Sequence, residues 1–480
     1  MESNQVKNKE TSLYEKVSGE VTRLIEQGTF RPGDRLPSVR ALSRQRRISI
    51  TTVLEAYRLL EDRQRIEARP QSGYYVRRPV NPVLPEPKAA IQVEKNPAVV
   101  TTDELVKRVL RDSRNPDIVP LGAAVPNPEN LPVEKLSRIL ASVVRQGGKK
   151  SISYEMVEGL EALRIQIARR LLNTGCSTHP KELVITSGCQ EAVTLSLMAV
   201  CRPGDTIAIE TPTYYNHLQT LEILRLQAVE IPTHPVLGID LDALEGVIKK
   251  HKIRACLLIP NFSNPLGSLM PDDKKKTLAA LLGRHDLPLI EDDIYGELSF
   301  SKDRPRTVKA YDHKGLVLSC SSFSKTLAPG YRVGWVAPGR YQAEVERLKS
   351  VCTIATATAP QMAIAEFLKN GGYDHHLRKI RRIYMRQIWL MTQAIGKFFP
   401  PGTRVTRPEG GFVLWVEMPE YVEARRLYQA AQKAGISIAP GPIFSIRPNY
   451  RNHIRLNAAF WSDRIEKAIA TLGGLAERMK

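Results

Sequence analysis

The segment SSFSKTLAPGYRVGW, residues 321–335, sets a lysine among hydroxyls and an arginine. An amine such as Lys325 condenses with a carbonyl compound once it sheds its proton. Ser322, Ser324 and Arg332 supply the donors and the cation that a phosphate needs. In ITSGCQEAV, residues 185–193, an expected strand turns through glycine into a helix start. The backbone N–H groups of Gly188, Cys189 and Gln190 could cradle phosphate there, helped by the helix dipole. In IEDDIYGEL, residues 290–298, Asp292 and Tyr295 stand three apart at a strand end, within reach of one ring. A buried carboxylate at such a point keeps a heterocyclic nitrogen protonated. In IPNFSNPLG, residues 259–267, Asn264 follows a strand on a turn, where it could hydrogen-bond a phenolic oxygen. Each segment alone has a plainer reading: a surface lysine, a strand-to-helix connection, an acidic strand terminus, an Asn-Pro turn. The set of four carries the weight.

These residues need strands to hold them. Short apolar runs at Leu183–Thr186, Thr206–Glu210, Ala255–Pro260, Leu287–Glu291 and Leu316–Ser319 alternate with helical patterns beyond about residue 115. That alternation predicts a mainly parallel sheet with helices on both faces. Lys325 then follows a strand at its carboxyl end, where open α/β sheets bind ligands. Prolines at 79, 82, 85, 87 and 97 mark residues 79–114 as a semi-rigid linker. The large domain is expected over 115–480, with a large subdomain at about 160–345 and a small one at about 346–480.

Ahead of the linker the pattern changes. Leu13, Val17, Val21, Leu24 and Ile25 share one helical face, and Arg-Pro-Gly-Asp at 31–34 ends it. Ser38 and Ser49 are cap candidates for two further helices, the second running through Val53, Ala56, Tyr57, Leu59 and Leu60. Two strands, Arg65–Arg69 and Gly73–Val76, flank a Pro70-Gln71-Ser72 turn. This is the order of a winged helix-turn-helix over residues 1–78. Residues 31–78 hold 12 arginines against 5 acidic residues, a net +7 in a chain whose formal charge is +20. A phosphate backbone is the natural partner of such a stretch. Arg35, Ser38 and Arg40 are candidate phosphate contacts. Ser49, Thr51 and Thr52 stand at the start of the helix that enters the major groove, and Gln71, Ser72 and Gly73 at the wing tip.

The six cysteines form no CxxC pair and no metal-ligand spacing, so free thiols in a cytoplasmic protein and no metal are expected. The amino terminus lacks a secretory core, and no apolar run approaches the ~20 residues of a membrane span.

The run LPSVRALSRQRRISITTVLEAYRLLEDRQRIEARPQSGYYV resembles the GntR-family winged helix over residues 13–77. Ile50 and Leu54 stand where many members carry arginine, which moves the expected base readout toward Thr51, Thr52 and DNA shape. The later segments, in their order, resemble the fold-type-I aminotransferase family from about residue 115 to the end. That resemblance implies a pyridoxal 5'-phosphate cofactor, with Lys325 as its internal aldimine and Asp292 on the pyridinium nitrogen. It further implies Tyr295 and Asn264 on the ring oxygen and Tyr214, in ETPTYY, stacked on the ring. Ser322, Ser324, Arg332 and residues 188–190 would hold phosphate, with Cys189 where Ser or Thr is more usual. Tyr154, in SYEMVEGLEALR, would cross a homodimer interface to the partner's phosphate, and Arg455, in NHIRLNAAF, would fork onto an amino acid carboxylate.

Both halves together resemble the MocR/PdxR-like subgroup of GntR regulators. The function implied is a transcription regulator that binds an operator duplex and senses PLP, an amine or an amino acid. The alternatives are an active aminotransferase with a DNA-binding appendage, and a DNA-binding protein whose second domain only dimerises.

Overall fold

The computed structural model describes residues 12–63, 65–69, 72–77, 84–88, 96–102, 104–113 and 115–480. The chain divides into two compact units, Met1–Val83 and Leu84–Lys480.

In the first unit, α1 (Leu13–Glu26) starts at a capping box in which the Ser12 N–H donates to Glu15 Oε2 at 3.0 Å. Ser38 caps α2 (Val39–Arg46) by accepting from the Ala41 N–H, and Ser49 caps α3 (Ile50–Asp62) by accepting from the Thr52 N–H. The turn between the two helices passes through Arg47 in the left-handed region, φ 53°. A hairpin of β1 (Ile66–Arg69) and β2 (Gly73–Val76) follows, pairing Ile66 with Val76. Val17, Val21, Leu42, Val53, Tyr57, Leu60, Ile66 and Val76 bury one core between the helices and the hairpin. The Tyr57 hydroxyl is satisfied by the Pro37 carbonyl at 2.7 Å. Helix, helix, helix and wing thus appear in the expected order.

The second unit is built on a mixed sheet whose middle five strands are parallel: Gln227–His234, Thr206–Thr211, Ile253–Leu258, Leu289–Asp292 and Val317–Ser322. Gly334–Ala337 joins antiparallel and brings in Val184–Thr186 at the edge. These strands are buried almost throughout, as a sheet covered on both faces requires. A second, antiparallel sheet holds Arg404–Val405, Val413–Glu417, His453–Asn457 and Ala439–Pro440. It packs with the long helix Gly372–Phe398 and the last helix, Asp463–Glu477, in one core.

The linker reading needs a correction. Residues 79–114 were expected to lie outside the folded domain, yet from Leu84 they belong to the second unit. The Val405 N–H donates to the Pro85 carbonyl and the Lys88 N–H to Glu417 Oε2, tying 84–88 to the antiparallel sheet. Ala98–Val99 then pairs with Ala228 and Gln227 as an edge strand of the parallel sheet. The helix Leu105–Asp112 buries Val106 and Val109, and Tyr428 donates to Asp112 at 2.9 Å. The apolar residues of this stretch are too sparse to signal a domain until a neighbour covers them.

Candidate functional site

Five strand ends and the turns after them converge on a cavity of about 210 Å³. Cys189, Gln190, Tyr214, Asn264, Asp292, Tyr295, Ser324, Lys325 and Arg332 are among its lining residues. Nine of the residues singled out in the sequence therefore meet in one place.

Asp292 closes its strand and is nearly buried. Its Oδ1 accepts from the Ile294 N–H at 3.1 Å and from the Cys189 thiol at 3.3 Å, while Oδ2 lies 3.1 Å from His217 Nε2. His217 carries no motif of its own in the sequence. It follows Tyr214 by three residues on the helix Tyr215–Ile223, so the two side chains share a face, their rings 5.5 Å apart at 77°. The neighbouring ETPTYY motif was the available signal. Cys189 turns its thiol to Asp292, so its expected part in a phosphate cradle rests on its backbone N–H; burial, and then Asp292, push that thiol well up from its ordinary value.

Lys325 lies three residues past the end of Val317–Ser322, and its Nζ donates to the Ala124 carbonyl at 2.7 Å. Burial of the amine, then the nearby Arg455 cation, lowers its pKa to about 8, with Asp292 opposing. The Tyr295 hydroxyl is buried and has no hydrogen-bond partner. Arg455 is wholly buried and, among the described residues, donates only to neutral oxygens, Asn264 Oδ1 at 3.0 Å and the Gly122 carbonyl. Asn264 itself precedes a cis proline, Pro265.

At the mouth, Arg332 donates to Ser324 Oγ at 3.2 Å and to the Ser187 carbonyl at 2.9 Å. Gly188 adopts φ +88° beneath it, and a Cβ there would collide with the guanidinium, so the turn is open only to glycine. Ser322 stands back from the cavity and accepts from the Ser324 N–H at 3.2 Å, fixing the loop. Tyr154 is 86 % exposed and does not line the cavity of its own chain.

In the amino-terminal unit, Arg35, Ser38, Arg40, Ser49 and Thr51 are exposed and Thr52 is half-buried. The Ser49 hydroxyl is 2.8 Å from that of Thr52, and Ser72 is 2.7 Å from the Tyr75 hydroxyl. Gly73, at φ +104°, sits against the Arg35 side chain. Gln71 lies outside the described residues. Among the described residues, no group of His, Cys, Asp and Glu could hold a metal, and no helix is long and apolar enough to cross a membrane.

Residues 13–76 match the family model of bacterial regulatory proteins, gntR family, and residues 121–472 that of aminotransferase class I and II. The chain belongs to the GntR regulators that carry an aminotransferase domain. This is the MocR-like architecture, a winged helix joined to a fold-type-I domain. The regulator is 40 % identical to the uncharacterized HTH-type transcriptional regulator YjiR of Escherichia coli K12, over 96 % of this chain and 98 % of that one. It is 27 % identical to the HTH-type transcriptional regulator NorG of Staphylococcus aureus, over 89 % and 96 %. The large domain of the regulator is similar to the α-aminoadipate aminotransferase LysN of Thermus thermophilus, solved with N-(5'-phosphopyridoxyl)-L-leucine. The TM-score is 0.72 at 28 % identity, covering 78 % of this chain and 95 % of that one.

Proposed function

We propose that the regulator holds pyridoxal 5'-phosphate through Lys325 and changes its DNA binding when an amine or amino acid reaches that site. The observation that carries this reading is an amine with a pKa of about 8 that lines one cavity with the Asp292 carboxylate, itself paired to His217, and with an orphaned phenol. The donor set fits the cofactor. Gly188, Gln190, Ser324 and Arg332 form the phosphate cradle, Asp292 suits the ring nitrogen, and Tyr295 with Asn264 suits the ring oxygen. When bound, the cofactor supplies an electrophilic carbon and an electron-withdrawing ring.

The chain's own residues divide the remaining work. Lys325 is free to lose its proton near neutral pH. His217 fixes Asp292, so that the carboxylate points one oxygen at the Ile294 N–H and the other at an imidazole. Tyr214 covers the cavity, and Arg455 awaits a carboxylate, since the described residues offer it no ion pair. Lys88 bonds to the antiparallel sheet and Ala98–Val99 pairs with the parallel one, so these residues stand where a change around the site would be felt.

A homodimer belongs to the same proposal. Ile152, Tyr154, Met156, Val351 and Ile354 are exposed apolar side chains on neighbouring segments, joined by the Thr358 hydroxyl donating to the Ser153 carbonyl at 2.8 Å. A second copy would cover them and bring Tyr154 to its partner's cradle.

The test is borohydride reduction of the protein with PLP, followed by mapping of the modified residue. Attachment at Lys325 is expected, and its loss in Lys325→Ala. Operator binding is then measured with PLP alone and with a panel of amino acids. Attachment elsewhere rejects the cofactor assignment, and one unchanged affinity and footprint in every condition rejects sensing. Sustained turnover of an amino acid with a 2-oxo acid would replace the sensor by an enzyme.

A further inference from the structure

The helix that would enter the major groove presents an aliphatic side chain at its leading end. In α3, Val53, Ala56, Tyr57 and Leu60 are buried in the module's core. Ile50, the first residue of the same helix, is 53 % exposed. Leu54 follows one turn later on the same flank and is half-buried. The surroundings are polar and cationic: Ser49 and Thr51 are exposed on either side, as are Arg40, Arg44 and Arg47. Ser49 is engaged in capping, accepting from the Thr52 N–H at 3.0 Å. Ile50 contributes nothing to that cap and little to the core, so its methyl groups face outward where a docked helix places base-reading side chains.

The first turns of a recognition helix meet base edges, and the aliphatic group displayed by those edges in the major groove is the 5-methyl of thymine. We propose that Ile50 is a specificity-determining residue that selects thymine at one base pair of the bound site by packing on its methyl group, with Leu54 extending the apolar flank. Water is excluded from both aliphatic surfaces, and a cytosine at that position offers a polar edge without the methyl. The proposal rests on the reading of the amino-terminal unit as a DNA binder.

The full-length protein is used to select duplexes from a random pool, and each thymine of the selected site is replaced in turn by deoxyuridine, which lacks only the methyl. One replacement should weaken native binding about three- to fivefold, the effect of one buried methyl group. Ile50→Ala should bind the thymine and uracil duplexes alike. Ile50→Arg should exchange the preference at that base pair for guanine, whose O6 and N7 accept a guanidinium. The scan on native protein requires no variant to fold. Native binding indifferent to every thymine-to-uracil replacement overturns the role of Ile50 and leaves the DNA-binding reading standing. Failure of the native protein to bind any duplex overturns both.

Discussion

Two buried clusters of cations in the large unit follow opposite rules. Around Glu297, Arg170 donates through Nε and Nη2 at 3.0 and 3.1 Å, and Arg304 and Arg381 approach at 3.5 Å. Arg304 also pairs with Asp293, and Arg170 with Asp374 at 2.8 Å. Burial alone would raise the Glu297 carboxyl, yet Arg304 and Arg170 hold it below its ordinary value. One residue before Asp293 the logic reverses. Asp292 has a histidine and a thiol for company, and Arg455, wholly buried, finds only neutral oxygens among the described residues. A buried cation without a counter-charge is costly, and a chain that can pair its arginines beside Glu297 has not done so here. The charge balanced around Glu297 holds the structure together; the charge left over at Arg455 is what the proposed carboxylate site rests on.

The sharpest way to break this contrast is Glu297→Gln. Three guanidinium groups would lose their shared carboxylate, and thermal or denaturant unfolding should show a loss of about 3–5 kcal/mol. A variant of native stability would mean the cluster is solvated and the distinction empty. Arg455→Met should behave oppositely. Without ligand its stability should stay within about 1 kcal/mol of native, or rise, because an unpaired buried cation has gone. Its response to amino acids, read as a spectral change of the cofactor-loaded protein, should vanish. Marked destabilisation of the ligand-free variant would show that Arg455 is structural after all.

The smallest effect concerns pH. Lys325 has its pKa lowered to about 8, so the reactive neutral amine grows in as pH rises through that value. The rate of cofactor attachment, followed by absorbance, should level off above about pH 8, whereas an ordinary lysine would still be gaining near 10.4. The linked stability has the same sign. Between the folded and unfolded pKa values the unfolded chain holds the extra proton, so ligand-free stability rises with pH across that window. A profile still climbing at pH 10 would place the amine in water.

Much of the site could be read from local sequence because each wall is a strand end with its own turn. Lys325, Asp292, Asn264 and the glycine turn at 188 each stand within a few residues of a strand, and alternation alone predicts the mainly parallel sheet that holds them. His217 escaped because its meaning lies in a pairing across 75 residues with Asp292, which no local pattern displays. Ala124 and Gly122, whose carbonyls receive Lys325 and Arg455, escaped because a backbone acceptor carries no side-chain signal. The linker was misjudged for the reverse reason: Leu84, Val106 and Val109 gain their role only from the core that covers them.

The amino-acid sequence by itself determined the two-part architecture, the winged-helix order, the strand–helix alternation and the position of the lysine proposed to react. Caps, turns and apolar periods act over a few residues, so their consequences are written where they occur. Tertiary structure alone decided which groups lack partners. A pKa near 8 at Lys325, a phenol without a hydrogen bond at Tyr295 and a cation without an anion at Arg455 arise from burial and from neighbours distant in the chain. Burial withdraws water from every side at once, and only the folded chain fixes which sides those are.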